Sequence, residues 1–241
     1  DRQALSASVV EEKILIGERT LLGLGTGGDP ALAKSVIAKE DGKEKIRAAV
    51  EKTQTAIIVT GLGGGTGGGI VENVIDVLRE CGISVMVLGI APLGCEGARR
   101  AAQARQIAAV LRKKADALML FSNDRLLQLP DVKENVRGGF RALNIILGQT
   151  CKTISHLLTK QGLVQINLSD FQELMGQCIG LSDELENCWA GMGMGNGPER
   201  VREAIEQTLF SPLFSDGVTW DAGDHALVCV EGGEDFSISE F

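Results

Sequence analysis

Apolar residues in the first half of the chain fall into two periods. Ala56–Thr60, Ser84–Gly89 and Ala117–Phe121 are short runs dominated by apolar residues, and they read as strands. Between them, Ile70–Glu80 and Arg99–Lys114 carry apolar residues at helical spacing. Strands without polar alternation, separated by helices, predict an α/β fold with a parallel sheet covered on both faces. From Asp131 to about Lys160 the pattern changes. Val132, Val136, Phe140, Leu143, Leu147, Ile154 and Leu157 recur as on one long helix, about 45 Å from end to end. Gly138 and Gly139 weaken that helix by up to about 1 kcal/mol each. Such a length suits a central strut between two lobes. Beyond it the signals are mixed and predict a smaller α+β lobe. Asn196-Gly197-Pro198 reads as a helix start, Ser211-Pro212 as its stop, and Ala226–Glu231 as a strand.

The 241 residues are 44% hydrophobic, enough for one large or two smaller cores. Lys and Arg number 24 against 32 Asp and Glu, a formal net charge of -8, which disfavours nucleic acid as the main partner. The six cysteines, Cys81, Cys95, Cys151, Cys178, Cys188 and Cys229, include no C-x-x-C pair, and there are two histidines. No metal site is expected, and the thiols are expected to be reduced and buried. No apolar run approaches the roughly 20 residues of a membrane span, and no signal peptide is visible. The chain starts without Met, so the true N-terminus is expected upstream.

The most informative segment is Gly61-Leu62-Gly63-Gly64-Gly65-Thr66-Gly67-Gly68-Gly69, with seven glycines in nine residues between a strand and a helix. Glycine permits positive φ and lets another group approach the backbone. The helix that follows offers unpaired N–H groups and a partial positive charge, a combination suited to phosphates. Three phosphate-binding patterns compete. The P-loop needs Gly-Lys-Ser/Thr, and no lysine follows here. Gly63, Gly65 and Gly68 match the dinucleotide pattern G-x-G-x-x-G, but Gly89, Ile90 and Ala91 stand where an acidic residue should hold the ribose. The third pattern is GGGTG followed by a small residue and Gly, and residues 63–69 read GGGTGGG.

That motif resembles the signature of the FtsZ/tubulin family, and the resemblance, closest to bacterial FtsZ, runs along nearly the whole chain. Gly23-Leu24-Gly25-Thr26-Gly27-Gly28-Asp29-Pro30 is similar to the family's second glycine loop, with Gly25 and Gly27 near the γ-phosphate. Pro92 and Glu96-Gly97-Ala98-Arg99-Arg100 resemble its P-x-x-x-E-G-x-x-R loop, which implies ribose contact by Glu96 and phosphate contact by Arg100. Ser122-Asn123-Asp124-Arg125-Leu126-Leu127 resembles P-N-D-x-L-L and adds Asn123 to the implied site. Phe140 and Asn144, four apart on one helix face, match the pair that reads guanine. Further on, Met192–Arg200, Ser211-Pro212-Leu213 and Glu231–Asp235 resemble G-x-G-x-G-E-x-R, S-P-L and T-G-G-x-D.

Three departures stand out. Asp1-Arg2-Gln3-Ala4-Leu5 resembles the end of the family's first loop, so the first strand, phosphate loop and helix have no counterpart. The second lobe lacks the family's final strands, and the chain is expected to be a fragment with an incomplete nucleotide site. The third is chemical. After the long helix the family carries N-x-D-x-x-D, where this chain has Gln165, Asn167 and Asp170. An amide orients water but cannot take its proton.

The resemblance implies a cytoplasmic, filament-forming GTPase of bacterial cell division that binds GTP or GDP with Mg²⁺. Residues 1–130 would form the GTP-binding domain, 131–160 the connecting helix and 161–241 the activation and polymerisation domain. The implied phosphate contacts are Gly63, Gly64, Gly65, Thr66, Gly67, Gly68 and Gly69. Gln165, Asn167 and Asp170 would act on the neighbouring subunit's nucleotide. Implied partners are further copies of the chain, head to tail, and membrane-tethering division proteins, with no direct membrane insertion. The alternative is a GTP-binding scaffold that polymerises but hardly hydrolyses. A nicotinamide-dependent enzyme is a more distant third reading.

Overall fold

The computed structural model describes residues 1–126, 136–160, 166–177, 188–211, 225–233, 235–237 and 240. The chain divides into two compact units, one of residues 1–124 with 175–188, the other of residues 125–174 with 189–241.

In the first unit, β1 (Thr55–Gly61), β2 (Ser84–Ala91) and β3 (Ala117–Ser122) form a parallel sheet in that order. Val59 pairs with Leu88, and Leu88 with Met119. The crossovers are α4 (Gly65–Glu80) and α5 (Ala98–Lys114). Their apolar stripes pack on one sheet face through Val71, Ile75, Leu78, Ala104, Ala108 and Leu111, against Val85, Val87 and Leu118. Burying one such Leu, Ile or Val side chain contributes about 1.5–3 kcal/mol. On the opposite face Met86, Leu88, Met119 and Phe121 are buried as well, whereas Val59 on β1 stands 48% exposed. The near-continuous apolar strands β2 and β3 are thus the buried strands of a parallel sheet, and β1 is half-buried beside them.

Ahead of the sheet lie α1 (Arg2–Ala7), α2 (Pro30–Lys39) and α3 (Gly42–Ala49). Ile37 on α2, Ile46 on α3 and Val77 on α4 form a second buried cluster. Glu72 on α4 accepts from Lys34 of α2 at 2.7 Å and sits 2.9 Å from Lys114 of α5. Hydrogen bonds from these two lysines, Lys34 first, hold its carboxyl below the usual range. Buried Glu40, at the end of α2, accepts from the N–H of Gly17 at 3.0 Å and of Thr20 at 2.6 Å and so fixes the chain ahead of the second glycine loop.

After β3 comes the short α6 (Asn123–Leu126). In the second unit, α7 (Val136–Thr159) is the described part of the long helix; residues 131–135 lie outside the described residues. It is followed by α8 (Leu168–Gln177), whose last turn belongs to the first unit, and α9 (Arg200–Leu209). The α9 helix starts two residues later than the Pro198 signal predicts. Gly197 turns the chain at φ 75°, Arg200 N–H bonds back to Gly197 C=O, and Glu199 becomes the N-cap. The guanidinium of Arg200 bonds Asp235 at 2.6 Å and Glu240 at 2.8 and 3.0 Å, which anchors the helix start there.

Two expectations are corrected. Residues 225–233 are irregular, not the strand expected over Ala226–Glu231; Val228 and Val230 lie exposed, and a strand needs a paired neighbour to satisfy its backbone. Cys81, Cys95 and Cys229 are exposed and Cys151 and Cys188 half-buried, so none of the five described thiols is buried. Four of the five sit outside the sheet and its crossovers, and Cys81 is at the C-cap of α4. Cys178 lies outside the described residues.

Candidate nucleotide site

The site is built where β1 ends and α4 begins. The helix starts at Gly65, five residues earlier than the apolar pattern predicts, so most of the glycine loop is its first turn. Each glycine inside a helix costs about 1 kcal/mol relative to Ala, and packing outweighs that here. A methyl on Gly67 would strike Gly61 C=O and Thr60 Oγ1, one on Gly68 the Ile107 side chain, and one on Gly69 Pro30 C=O and Ala33. A methyl on Gly65 would lie 2.7 Å from Asp29 N and 2.9 Å from Gly28 C. These four glycines let α4 press closely onto β1, α5, α2 and the loop before it.

Positive φ is therefore not the reason for the glycines of residues 61–69. None of residues 61–69 adopts it. The left-handed residues are in the second loop: Gly23, Gly25, Gly27 and Gly28 have φ of 76°, 83°, 59° and 85°. That loop passes against Gly65 and ends in Asp29, which caps α2 by accepting from Ala31 and Leu32 N–H.

The two helix starts differ in one respect. The α2 terminus is capped by its own Asp29, with Pro30 in the first turn. The N-cap of α4 is Gly64, at φ -98° and ψ 165°, with no side-chain cap. Its first helical bond runs from Gly68 N–H to Gly64 C=O, which leaves the N–H groups of Gly65, Thr66 and Gly67 at the open end. A Cβ on Gly64 would meet nothing within 4 Å. Free donors, the helix dipole and open space make this end able to take an anionic oxygen.

The β2–α5 junction closes one side. Pro92 packs on Gly63, where a methyl would come within 3.0 Å of its Cβ. Gly94–Glu96 forms a 3₁₀ turn, and Gly97, at φ 104°, leads into α5. The Glu96 carboxylate accepts from Leu93 N–H at 2.8 Å and from the Arg100 guanidinium at 2.5 Å. Gln103, one turn along α5, donates to Gly64 C=O at 3.3 Å. Gln103 lies in none of the motifs, and Asp29, inside the second glycine-loop motif, is not among the implied site residues. The Asp29-Pro30 helix start could have been read from the sequence; nothing in the sequence signals Gln103. Asn123, at the carboxyl end of β3, is buried.

The first unit thus brings together Gly25, Gly27, the 63–69 segment, Glu96 and Arg100 around the β1–α4 junction, with Asn123 two strands away at the same sheet edge. Phe140, Asn144, Asn167 and Asp170 belong to the second unit. Phe140 and Asn144 stand exposed one helical turn apart on α7. Asn167 and Asp170 form a reciprocal cap at the start of α8. Asn167 N–H donates to Asp170 Oδ2 at 3.0 Å, and Asp170 N–H to Asn167 Oδ1 at 2.9 Å. Gln165 lies outside the described residues. Among the described residues, no group of three or more His, Cys, Asp and Glu side chains is placed to hold a metal ion. Among the same residues, no helix is long and apolar enough to cross a membrane.

A parallel α/β sheet with an uncapped, glycine-lined helix start at its carboxyl edge defines the class of nucleotide-binding α/β domains. Comparison with known proteins narrows this. The family described as Tubulin/FtsZ family, GTPase domain, matches residues 1–131, and the chain belongs to that family. Among solved structures it is similar to a mutant FtsZ of M. jannaschii, with 28% identity and a TM-score of 0.78 over 88% of this chain and 61% of that one. It is similar to an empty FtsZ dimer of M. jannaschii, with 29% identity and a TM-score of 0.77 over 88% and 59%. A GTPγS-bound protofilament of CetZ2 from Haloferax volcanii matches with 28% identity and a TM-score of 0.56 over 63% and 46%. The chain therefore spans about three-fifths of the length of the FtsZ structures it matches.

Proposed function

We propose that this chain carries the guanine-nucleotide site of a GTPase that assembles head to tail and completes its active site between neighbouring copies. The observation that carries the reading is the open N-terminus of α4 at Gly64, flanked by the Glu96–Arg100 pair. Membership of the Tubulin/FtsZ GTPase-domain family supports it, as does the likeness to an FtsZ dimer and a CetZ2 protofilament.

In this reading the N–H groups of residues 65–67 hold phosphate oxygens, and Gly25 and Gly27 line the γ-phosphate side. Glu96 accepts ribose hydroxyls and Arg100 faces the phosphates. Asn123 closes the sugar side, Phe140 stacks on the base and Asn144 pairs with its edge. A Mg²⁺ ion bound together with the nucleotide would supply charge neutralisation for phosphoryl transfer. Asp170 of a neighbouring copy orients and deprotonates the attacking water, with Asn167 and Gln165 beside it. The working division is 1–130 for nucleotide binding, 131–160 as connecting helix and 161–241 for activation. The cellular role is filament formation in the cytoplasm for bacterial-type cell division, tethered to the membrane by partner proteins.

A second reading has its own observation. The Asp170 carboxylate is already engaged in capping α8, and two amides stand where the family has Asn and Asp. This favours a GTP-binding scaffold with little hydrolysis. Measuring GTP against ATP binding and GTP turnover across protein concentration on the full-length parent separates the readings. GTP preference with turnover rising faster than linearly supports the GTPase. Filaments without turnover support the scaffold, and equal binding of both nucleotides overturns the guanine site.

A further inference from the structure

The segment Pro92–Gly97 holds the side chain proposed to meet the ribose, yet it is built on Gly94 and Gly97 with exposed Cys95 between them. Its internal bonds are local: Glu96 N–H to Leu93 C=O, Gly97 N–H to Gly94 C=O, and Leu93 N–H to the Glu96 carboxylate. From a different element it receives one carboxylate. Asp124, in the first turn of α6, accepts the Gly94 N–H on both oxygens, each at 3.0 Å. A methyl on Gly94 would sit 3.3 Å from Asp124 Oδ2, so glycine lets the carboxylate close on the amide. A charged acceptor makes this stronger than a neutral hydrogen bond. The bond ties the β2–α5 junction to the β3–α6 junction. The Gly94 amide lies two residues before Glu96, whose other oxygen holds Arg100.

We propose that Asp124 is a positioning residue for the nucleotide: by holding the Gly94 amide it sets the β2–α5 turn that aims Glu96 at the sugar. It rests on the guanine-nucleotide reading and deepens it. Asp124 touches the turn, not the nucleotide. Its effect reaches the sugar through Glu96 and leaves the phosphate cradle at Gly64 alone.

The test uses the full-length parent protein with Asp124→Ala, Asp124→Asn, Glu96→Gln and the Asp124→Ala/Glu96→Gln pair. Asn keeps one acceptor without the charge. In nucleotide-free protein, the Gly94 amide is expected to exchange about tenfold faster in Asp124→Ala, with Asp124→Asn between it and the parent. Affinity for GTP is expected to fall about tenfold in Asp124→Ala, with partial rescue in Asp124→Asn. Affinity for inorganic triphosphate is expected to change by less than about twofold, because its cradle is a separate set of contacts. In the double variant, Asp124→Ala adds no further loss to that of Glu96→Gln. Unchanged exchange at Gly94 overturns the tether. Faster exchange with unchanged GTP affinity, or equal losses for GTP and triphosphate, overturns the positioning role. A parent that binds neither ligand overturns the nucleotide reading, and the nucleotide-free exchange separates that result from failure of the tether.

Discussion

Gly65 lies so close to Asp29 that a methyl on its Cα would be 2.7 Å from the Asp29 amide nitrogen. The start of α4 and the cap of α2 therefore fit together only with a hydrogen at that position. One residue earlier, Gly64 faces open space with backbone angles any residue adopts. The two glycines should respond differently. Gly65→Ala is expected to destabilise the protein by about 1–3 kcal/mol, the cost of overpacking. Gly64→Ala is expected to leave the melting temperature within about 2 °C of the parent and to weaken GTP binding, because its methyl occupies the space an anion would use. Thermal melts and nucleotide titration of both variants are the check. Normal GTP binding by a fully folded Gly64→Ala would remove this helix start from the site.

The alternation of strands and helices from Ala56 to Phe121 was legible because β2 and β3 are buried, β1 is apolar though only half-buried, and each crossover helix keeps a 3.6-residue stripe. The helices α2 and α3 are not among the elements the periodicity announces. They are short, and the strongest signal for α2 was not apolar spacing but its cap, Asp29-Pro30. The glycine loop was legible as a motif but not as mechanics. Its glycines serve close packing of α4, and the left-handed conformations belong to the second loop. Contacts between separate junctions, such as Gln103 with Gly64 and Asp124 with Gly94, have no local pattern and emerge only when the sheet sets the junctions side by side.

The proposed guanine contacts are Phe140 and Asn144, both exposed on α7 and four residues apart. In the full-length parent, Phe140→Ala is expected to weaken GTP binding by about 1–3 kcal/mol through loss of a stacking surface. Asn144→Ala is expected to narrow the preference for GTP over ATP. Competition titrations with both nucleotides measure each effect. A parent without preference would discard the assignment.

The Arg200 clamp gives a pH prediction. Hydrogen bonds from Arg200, the largest influence, then from Ser237, hold Glu240 down at about 2, below its ordinary 4.5. Asp235 is lowered by the same guanidinium. A carboxylate with a depressed folded value stabilises the folded state above its unfolded pKa and loses that contribution as pH falls through the folded one. The clamp's contribution to stability should be complete at pH 5 and be lost between about 4.5 and 2, with the contact itself releasing near 2. Ser237 N–H donates to Glu240 Oε2 at 2.8 Å and reports the event. Its amide shift is expected to titrate near 2 in the parent and at a higher pH in Arg200→Ala, where the Ser237 bonds alone hold the carboxylate down. A parent midpoint above 4 contradicts the clamp.

Asp170 has two jobs to separate. Its Oδ2 caps the start of α8 through Asn167 N–H, and its remaining oxygen is the proposed water-activating group for a neighbour's nucleotide. Asp170→Ala removes both and is expected to cost about 1 kcal/mol of stability, the usual net worth of one hydrogen bond. Asp170→Asn keeps an acceptor for the cap and removes the base. If the carboxylate acts in trans, both variants should lose about 10²–10⁴-fold in GTP turnover with little change in GTP affinity. Only the Ala variant should lose stability. Asn167→Asp keeps a good N-cap residue and adds the second carboxylate, so turnover should rise. The rise should be partial, because adjacent carboxylates raise each other's pKa. Turnover across protein concentration, with melting curves for each variant, decides the matter. Parent-level turnover in Asp170→Asn would assign this residue to capping alone. Negligible turnover in the parent and all variants, with filaments intact, would favour the scaffold reading.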